Sequence, residues 1–161
     1  MVAFGKTLLE MNCHKDRDIT VSRLRYTKGV IYLLLGENTF RVEQELRRLL
    51  ADVVGLERPD VSKLNDVTLS DVMRGATLFS AQRSILLKGL SEQKDLWEKF
   101  AAWASEVPRD TTVIAVESRL DKRTKAYKTL VKHAELITCD FWTDRDAHLA
   151  EEWLDTVARS V

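Results

Sequence analysis

The sequence predicts an α/β fold in which a parallel sheet carries helices on both faces. Short apolar runs such as Val30–Leu35 and Thr111–Val116 have the length and composition of strands that are buried on both faces. Between such runs, apolar residues recur at helical spacing, as Val42, Leu46 and Leu49 do. Strands that alternate with helices of this length form βαβ crossovers, and these crossovers give a parallel sheet covered by helices.

The predicted elements begin with a strand over 30–35, a turn at Gly36 and a helix from about Thr39 to Val54, with Gly55 as its C-cap. The next predicted elements are a short strand over 61–64 and a short helix that starts from a capping box at 68–71 and stops at Gly75. A strand over 84–88, a helix with an apolar stripe over 96–104 and a strand over 111–116 follow. The last predicted elements are a helix from about Asp121, a strand over 135–141 and a helix over 144–159.

Three segments are predicted from this pattern. Residues 1–29 do not follow it and are predicted to be an N-terminal extension of unclear origin. Residues 30–143 are predicted to form one α/β domain. The turn Phe141–Asp144 is a candidate boundary, so 144–161 is predicted to begin a second unit.

Composition indicates an ordinary globular domain without a preference for an anionic partner. The 161 residues include 25 Lys and Arg and 25 Asp and Glu, so the net charge is zero and no global field attracts DNA or a membrane surface. No apolar run approaches the ~20 residues that span a bilayer. Cys13 and Cys139 suggest a reduced, cytoplasmic protein. His14, His133 and His148 are isolated, so neither a metal nor a cofactor is predicted.

The turn after the first strand lies where phosphate-binding folds place their P-loop, but it lacks the chemistry. A P-loop needs a second glycine followed by Lys and Ser or Thr. Here Gly36 is followed by Glu37, Asn38 and Thr39, and Glu37 puts a negative charge where a polyphosphate needs a positive one. These four residues are interpreted as a degenerate P-loop, in a scaffold that has lost its nucleotide.

Residues 35–40, 77–87 and 120–128 resemble, in order and spacing, the bacterial DNA polymerase III delta subunit. The resemblance implies an AAA+-like N-terminal domain of a clamp loader, with the first helix of a truncated lid domain over 144–161. It implies a protein that is not an enzyme and does not hydrolyse ATP. The sequence agrees, because the strand over 84–88 ends in Lys88 and Gly89 and not in the Asp-Glu pair that organises Mg²⁺.

The resemblance also implies that Leu78 and Phe79 insert into a hydrophobic pocket of the sliding clamp and help to open the ring. The other implied partners are the remaining clamp-loader subunits, and contact with DNA is implied only through the complex. The residues implied to accompany the pair at the clamp are Met73, Arg74, Ala76 and Thr77. The residues alone leave open that Leu78 and Phe79 pack into the domain's own core.

The helix predicted over 121–132 is basic. Its cations are Lys122, Arg123, Lys125, Lys128 and Lys132. They form either a surface for DNA or a partner, or a solvated helix face, and the neutral net charge favours the second. Two alternative functions therefore remain at this point. One is a DNA-binding domain that uses this helix, and the other is a nucleotide-binding protein of the P-loop type.

Overall fold

A computed structural model of the chain describes residues 29–53, 55–75, 82–143 and 146–159. The chain divides into two compact units. Arg23–Asp140 forms the larger unit, and Phe141–Val161 belongs to the smaller one. Each unit is described by itself.

The larger unit contains a sheet of five parallel strands in the order β2-β3-β4-β1-β5. The strands are β1 (Val30–Leu35), β2 (Leu56–Glu57), β3 (Arg83–Lys88), β4 (Thr111–Glu117) and β5 (Ala134–Thr138). The helices are α1 (Thr39–Leu50), α2 (Asp66–Arg74), α3 (Lys94–Trp103) and α4 (Lys125–Leu130), and α5 (Ala147–Arg159) lies in the smaller unit. The prediction of a parallel α/β sheet is confirmed.

The side chains of the central strands point alternately to two apolar layers, as the period of a strand requires. Leu34, Leu86 and Ile114 pack on one face against Val42 and Leu46 of α1. The other face is packed against α2, α3 and α4. Its buried residues include Ile31, Leu33, Ile85, Leu87 and Val113 from the strands and Leu69, Met73, Phe100 and Leu130 from the helices. Helices therefore cover both faces, as predicted, and among the described residues α1 lies on the first face and α2, α3 and α4 on the second.

The region between α1 and α2 differs from the prediction. Residues 61–64 were expected to form a strand, but Val61–Lys63 is a short 3-10 helix. Asp60 causes this, because its carboxylate accepts a hydrogen bond from the Ser62 amide at 3.1 Å and so holds the chain in a turn. The sheet instead gains the two-residue strand β2 upstream, at Leu56–Glu57.

The capping box of α2 lies three residues before its predicted position. The helix is capped by Asn65, whose side chain accepts from the Thr68 amide at 2.9 Å, while the Thr68 hydroxyl accepts from the Asn65 amide at 2.8 Å. Thr68 therefore serves as the third residue of the box and not as its first. Gly75 ends the helix as predicted.

Two other helices are shorter than predicted. The first ends at Leu50, and the fourth begins at Lys125 after its N-cap Thr124, so Lys122 and Arg123 lie in the preceding turn. In α5, the side chains of Leu149 and Trp153 lie outside the described part of the structure. Within the described residues, no helix combines the length and apolar character needed to cross a membrane.

Candidate functional site

The carboxyl ends of β1 and β4 lie where an α/β fold of this kind is expected to place its ligand-binding crevice. The two strands are neighbours, with Leu35 beside Glu117. From β1 the chain continues towards β2 at one edge of the sheet, whereas from β4 it continues to β5 at the other edge. Connections that leave in opposite directions open a crevice at the strand ends, and ligands of open α/β sheets bind there. Gly36 and Glu117 lie at this crevice.

The turn between β1 and α1 is held closed by hydrogen bonds to the residues at the ends of β4 and β5. It consists of Gly36, Glu37 and Asn38, so it is much shorter than the eight-residue P-loop motif. The Gly36 amide donates to the carbonyl oxygen of Glu117 at 3.0 Å, and the Asn38 amide donates to that of Cys139 at 3.0 Å. Asn38 also caps α1 by accepting from the Arg41 amide at 3.2 Å. The amides of Gly36 and Asn38 are thus bonded to protein oxygens.

An ion pair joins the segments that follow β1 and β4. The guanidinium of Arg119, which follows β4, donates to Glu37 through Nε at 2.8 Å and through Nη2 at 2.9 Å. The pair is bidentate and exposed, so it contributes little to stability. Its effect is local, because a cation that could attract an anion at this crevice is already paired with Glu37. Thr39, the fourth residue of the predicted degenerate P-loop, is the exposed first residue of α1.

Glu117 is a buried carboxylate at the end of β4. The whole Glu117 residue is only 2% exposed to solvent. The Ser91 hydroxyl donates to Oε2 at 2.5 Å and the Ser91 amide to Oε1 at 3.2 Å. Burial raises the pKa of Glu117 above its usual value, although the hydrogen bonds from Ser91 act in the opposite direction. The signal in the sequence was a charged residue that directly continues the apolar run of β4.

The raised pKa of Glu117 predicts a pH dependence of stability. Above the usual value of 4.5, the native protein retains a proton that the unfolded chain has lost. Stability therefore falls as the pH rises from that value through the native pKa. Glu117→Gln is expected to flatten this fall, because the amide does not ionise. Ser91→Ala is expected to steepen it, because it removes a bond that favours the ionised form.

Urea unfolding of the three proteins between pH 4 and pH 8 measures these slopes. An unchanged slope in Glu117→Gln would show that other groups cause the pH dependence.

A second group of candidate residues lies at the end of α2. Leu78 and Phe79 lie outside the described residues, as do Ala76 and Thr77, so their predicted role stays a prediction. Met73 is described and is fully buried in the core. Its expected position at a partner surface is therefore wrong for this conformation, because its place on α2 points it at the sheet.

Arg74 is on the surface, where its guanidinium makes two contacts with neighbouring residues. The carbon Cζ lies 4.6 Å from the ring centroid of Trp103, and Nη2 lies 2.7 Å from the Glu106 carboxylate. The side chain is 39% exposed, so a partner could still reach it. Sequence reasoning had no signal for these two contacts, because Trp103 and Glu106 are distant in the chain.

The predicted basic surface is present around α4. All five cations are exposed: Lys122, Arg123, Lys125, Lys128 and Lys132. Arg123 donates to Asp121 at 3.2 Å, and its hydrogen bonds lower the pKa of that carboxyl group. Within the described ranges, no group of three or more His, Cys, Asp or Glu side chains is placed to hold a metal ion.

The fold of the chain is similar to two solved structures. The Bacillus subtilis DNA clamp loader delta protein (YqeN) matches with a TM-score of 0.60 and 16% identity, over 72% of this chain and 40% of that protein. A DNA polymerase III gamma subunit-related protein from Thermotoga maritima matches with a TM-score of 0.51 and 11% identity, over 74% of this chain and 44% of that protein. The likeness supports the predicted α/β fold, in which a parallel sheet carries helices on both faces.

This chain spans less than half the length of either structure, and identities this low show a shared fold alone. No protein-family model matches the sequence, and no curated protein matches it.

Proposed function

We propose that this chain is a clamp-loader domain of the delta type, which binds a sliding DNA clamp and does not bind or hydrolyse ATP. The observation that carries the proposal is the closed turn after β1, in a domain with the fold of clamp-loader proteins. A scaffold that keeps this fold without a phosphate cradle is suited to contacts between proteins.

The crevice supports the non-nucleotide part of the proposal. A nucleotide would have to displace the bonds of the Gly36 and Asn38 amides and separate Arg119 from Glu37. At the adjacent strand end, β3 finishes with Lys88, so it supplies no carboxylate for Mg²⁺. Isothermal titration of the domain with Mg²⁺ and ATP is expected to give no binding at millimolar nucleotide. Saturable binding would contradict this part.

The clamp-binding part rests on the Leu78–Phe79 pair and its position in the chain. The segment that carries the pair leaves α2 after Gly75 and returns to the sheet at Arg83, the first residue of β3. Two anchors of this size would together contribute about 3–6 kcal/mol by burial in a pocket of the clamp. Further contacts are required for tight binding, and exposed Arg74 is the described residue placed to supply one.

The proposal predicts that Leu78→Ala/Phe79→Ala weakens binding to a bacterial sliding clamp by about 100-fold or more, because both anchors are lost. Surface plasmon resonance with immobilised clamp measures the affinity, and circular dichroism checks the fold. Phe40→Ala/Val67→Ala is a matched control, since these side chains are large, apolar and exposed elsewhere on the domain.

Binding that survives the loss of Leu78 and Phe79 would show that the clamp contact lies elsewhere. A folded wild-type domain that fails to bind its cognate clamp would overturn the proposed function.

The exposure of all five cations around α4 favours DNA binding as the second candidate function. It predicts an affinity for duplex DNA that falls steeply with salt and depends on Lys125 and Lys128. The delta-like function predicts little affinity of the isolated domain for DNA. Titration of labelled DNA at two salt concentrations, with Lys125→Gln/Lys128→Gln beside wild type, separates the two.

A further inference from the structure

A groove lies between α3 and α4, which pack against each other on one face of the sheet. Its volume is about 360 Å³, and its lining includes Ala101, Ala102 and Ala126. Ala101 and Ala126 are buried and form the floor, whereas Ala102 is exposed at the rim. Because an alanine side chain ends at Cβ, these residues leave the space between the helices open. The volume is at the lower end of the range for ligand pockets, about 300–1,000 Å³.

The rim of this α3–α4 groove carries one anion and one cation. Glu98 belongs to α3 and Lys125 to α4, and both residues are exposed. Among the described residues, neither of them has a hydrogen-bond or ion-pair partner. Lys99 of α3, by contrast, is paired with Asp66 of α2. The two charges at the groove are therefore available to a partner molecule.

The cation at the rim belongs to a row of lysines on α4. Lys125 and Lys128 are three residues apart, so they share one side of the helix, and Lys132 follows just beyond its end. All three lysines are exposed. Asp121, which precedes the helix, is already hydrogen-bonded to Arg123. The α4 side of the groove is therefore locally positive, although the net charge of the whole chain is zero.

An apolar floor beside a basic rim fits an acidic protein segment better than it fits nucleic acid. The phosphates of DNA would reach the lysines, but they would leave the alanine floor unfilled and would approach the carboxylate of Glu98. A protein segment can fill the groove with an apolar side chain and still present carboxylates to Lys125 and Lys128. Protein interfaces commonly combine an apolar anchor in a pocket with charged contacts at the rim.

We propose that the α3–α4 groove docks an acidic segment of a partner protein, with an apolar side chain in the groove and carboxylates on Lys125 and Lys128. The rim charges also give the segment a preferred direction, with a basic residue facing Glu98 and acidic residues facing α4. The inference goes beyond the proposed clamp-binding function and does not depend on it, because no residue of the groove belongs to the predicted clamp contact.

The test selects binders of the full chain from a phage-displayed library of random short peptides. The selected peptides are expected to combine acidic residues with an apolar side chain, and fluorescence anisotropy of labelled copies measures their affinity. Ala102→Trp fills the groove from its rim and is expected to weaken binding about tenfold or more, because the apolar anchor is excluded. Ala51→Trp is the matched control, since it places the same side chain at an exposed alanine after α1.

A second pair of variants tests the charges at the rim. Lys125→Gln/Lys128→Gln is expected to weaken peptide binding about tenfold at low salt, the effect of losing two exposed ion pairs. Arg47→Gln/Lys63→Gln removes two exposed cations elsewhere and is expected to leave the affinity unchanged. Circular dichroism checks each fold. If Ala102→Trp does not fold, Thr129→Gln replaces it, because it narrows the groove from α4 without a change of charge.

Duplex DNA is the competing probe. Binding of DNA that exceeds that of every selected peptide, and that Ala102→Trp leaves unchanged, would assign the lysines to DNA and overturn the inference. A library that yields no binder, or peptides that bind Ala102→Trp as tightly as wild type, would overturn it as well. A chain that fails to bind a sliding clamp would overturn the proposed function alone, since the peptide measurements do not involve the clamp.

Discussion

Gly36→Ala is expected to lower the free energy of unfolding by about 2–6 kcal/mol, from backbone strain and overpacking of about 1–3 kcal/mol each. Gly36 has a φ of +153°, which side chains other than that of glycine rarely allow. A Cβ atom there would lie 2.2 Å from the carbonyl oxygen of Cys139. That oxygen accepts the bond from Asn38, so it cannot move without opening the turn. Urea unfolding measures the loss.

Gly55→Ala is the matched control for Gly36→Ala. Gly55 also has a positive φ, of +79°, but a Cβ atom there would meet nothing within 4 Å. Gly55→Ala is expected to lower the free energy of unfolding by about 1 kcal/mol, which is the cost of the backbone strain alone. The difference between the two variants therefore measures the close approach of the β1–α1 turn to Cys139. Equal losses would show that the turn can adapt, and that its closed form is not fixed by packing.

Phe100→Ala is expected to destabilise the protein by about 3–5 kcal/mol, the range for a large aromatic side chain lost from a core. Phe100 on α3 is fully buried in the layer that joins α2, α3 and α4 to the sheet. Its ring also stacks on that of Trp97, with centroids 5.6 Å apart. The expected loss comes from the apolar contacts and from the cavity that remains.

Phe40→Ala provides the comparison for Phe100→Ala, because Phe40 is 54% exposed. It is expected to cost about 1 kcal/mol or less, in line with surface substitutions. Both variants are measured by chemical denaturation at the same pH. Similar losses at the two positions would contradict the placement of α3 against the sheet.

The framework of the fold could be predicted because it depends on local patterns. An apolar run such as Thr111–Val116 indicates a strand that is buried on both faces. The observed strand β4 consists of this run and one further residue, Glu117. The weak pattern at 61–64 failed for a physical reason. A turn set by Asp60 competes with the strand, and the apolar spacing contains no information about that hydrogen bond.

The candidate site was less predictable, because its contacts join residues that are distant in the chain. Arg119 pairs with Glu37 and Arg83 with Glu57, and no local spacing connects the members of either pair. Met73 shows the opposite error. It was expected at a partner surface through resemblance, whereas its helical register places it in the core. The roles of Leu78 and Phe79 remain predictions.

The position of β1 in the sheet has a consequence for biosynthesis. Both neighbours of this strand come late in the chain, since Val30 pairs with Thr112 and Ile31 with Ala134. During translation, at about 5–20 residues per second, β1 therefore waits roughly 4–16 s for its first neighbour. Through that interval neither of these two neighbouring strands is available to it on the nascent chain. We expect the ribosome-bound intermediate to depend on chaperones until β4 has emerged.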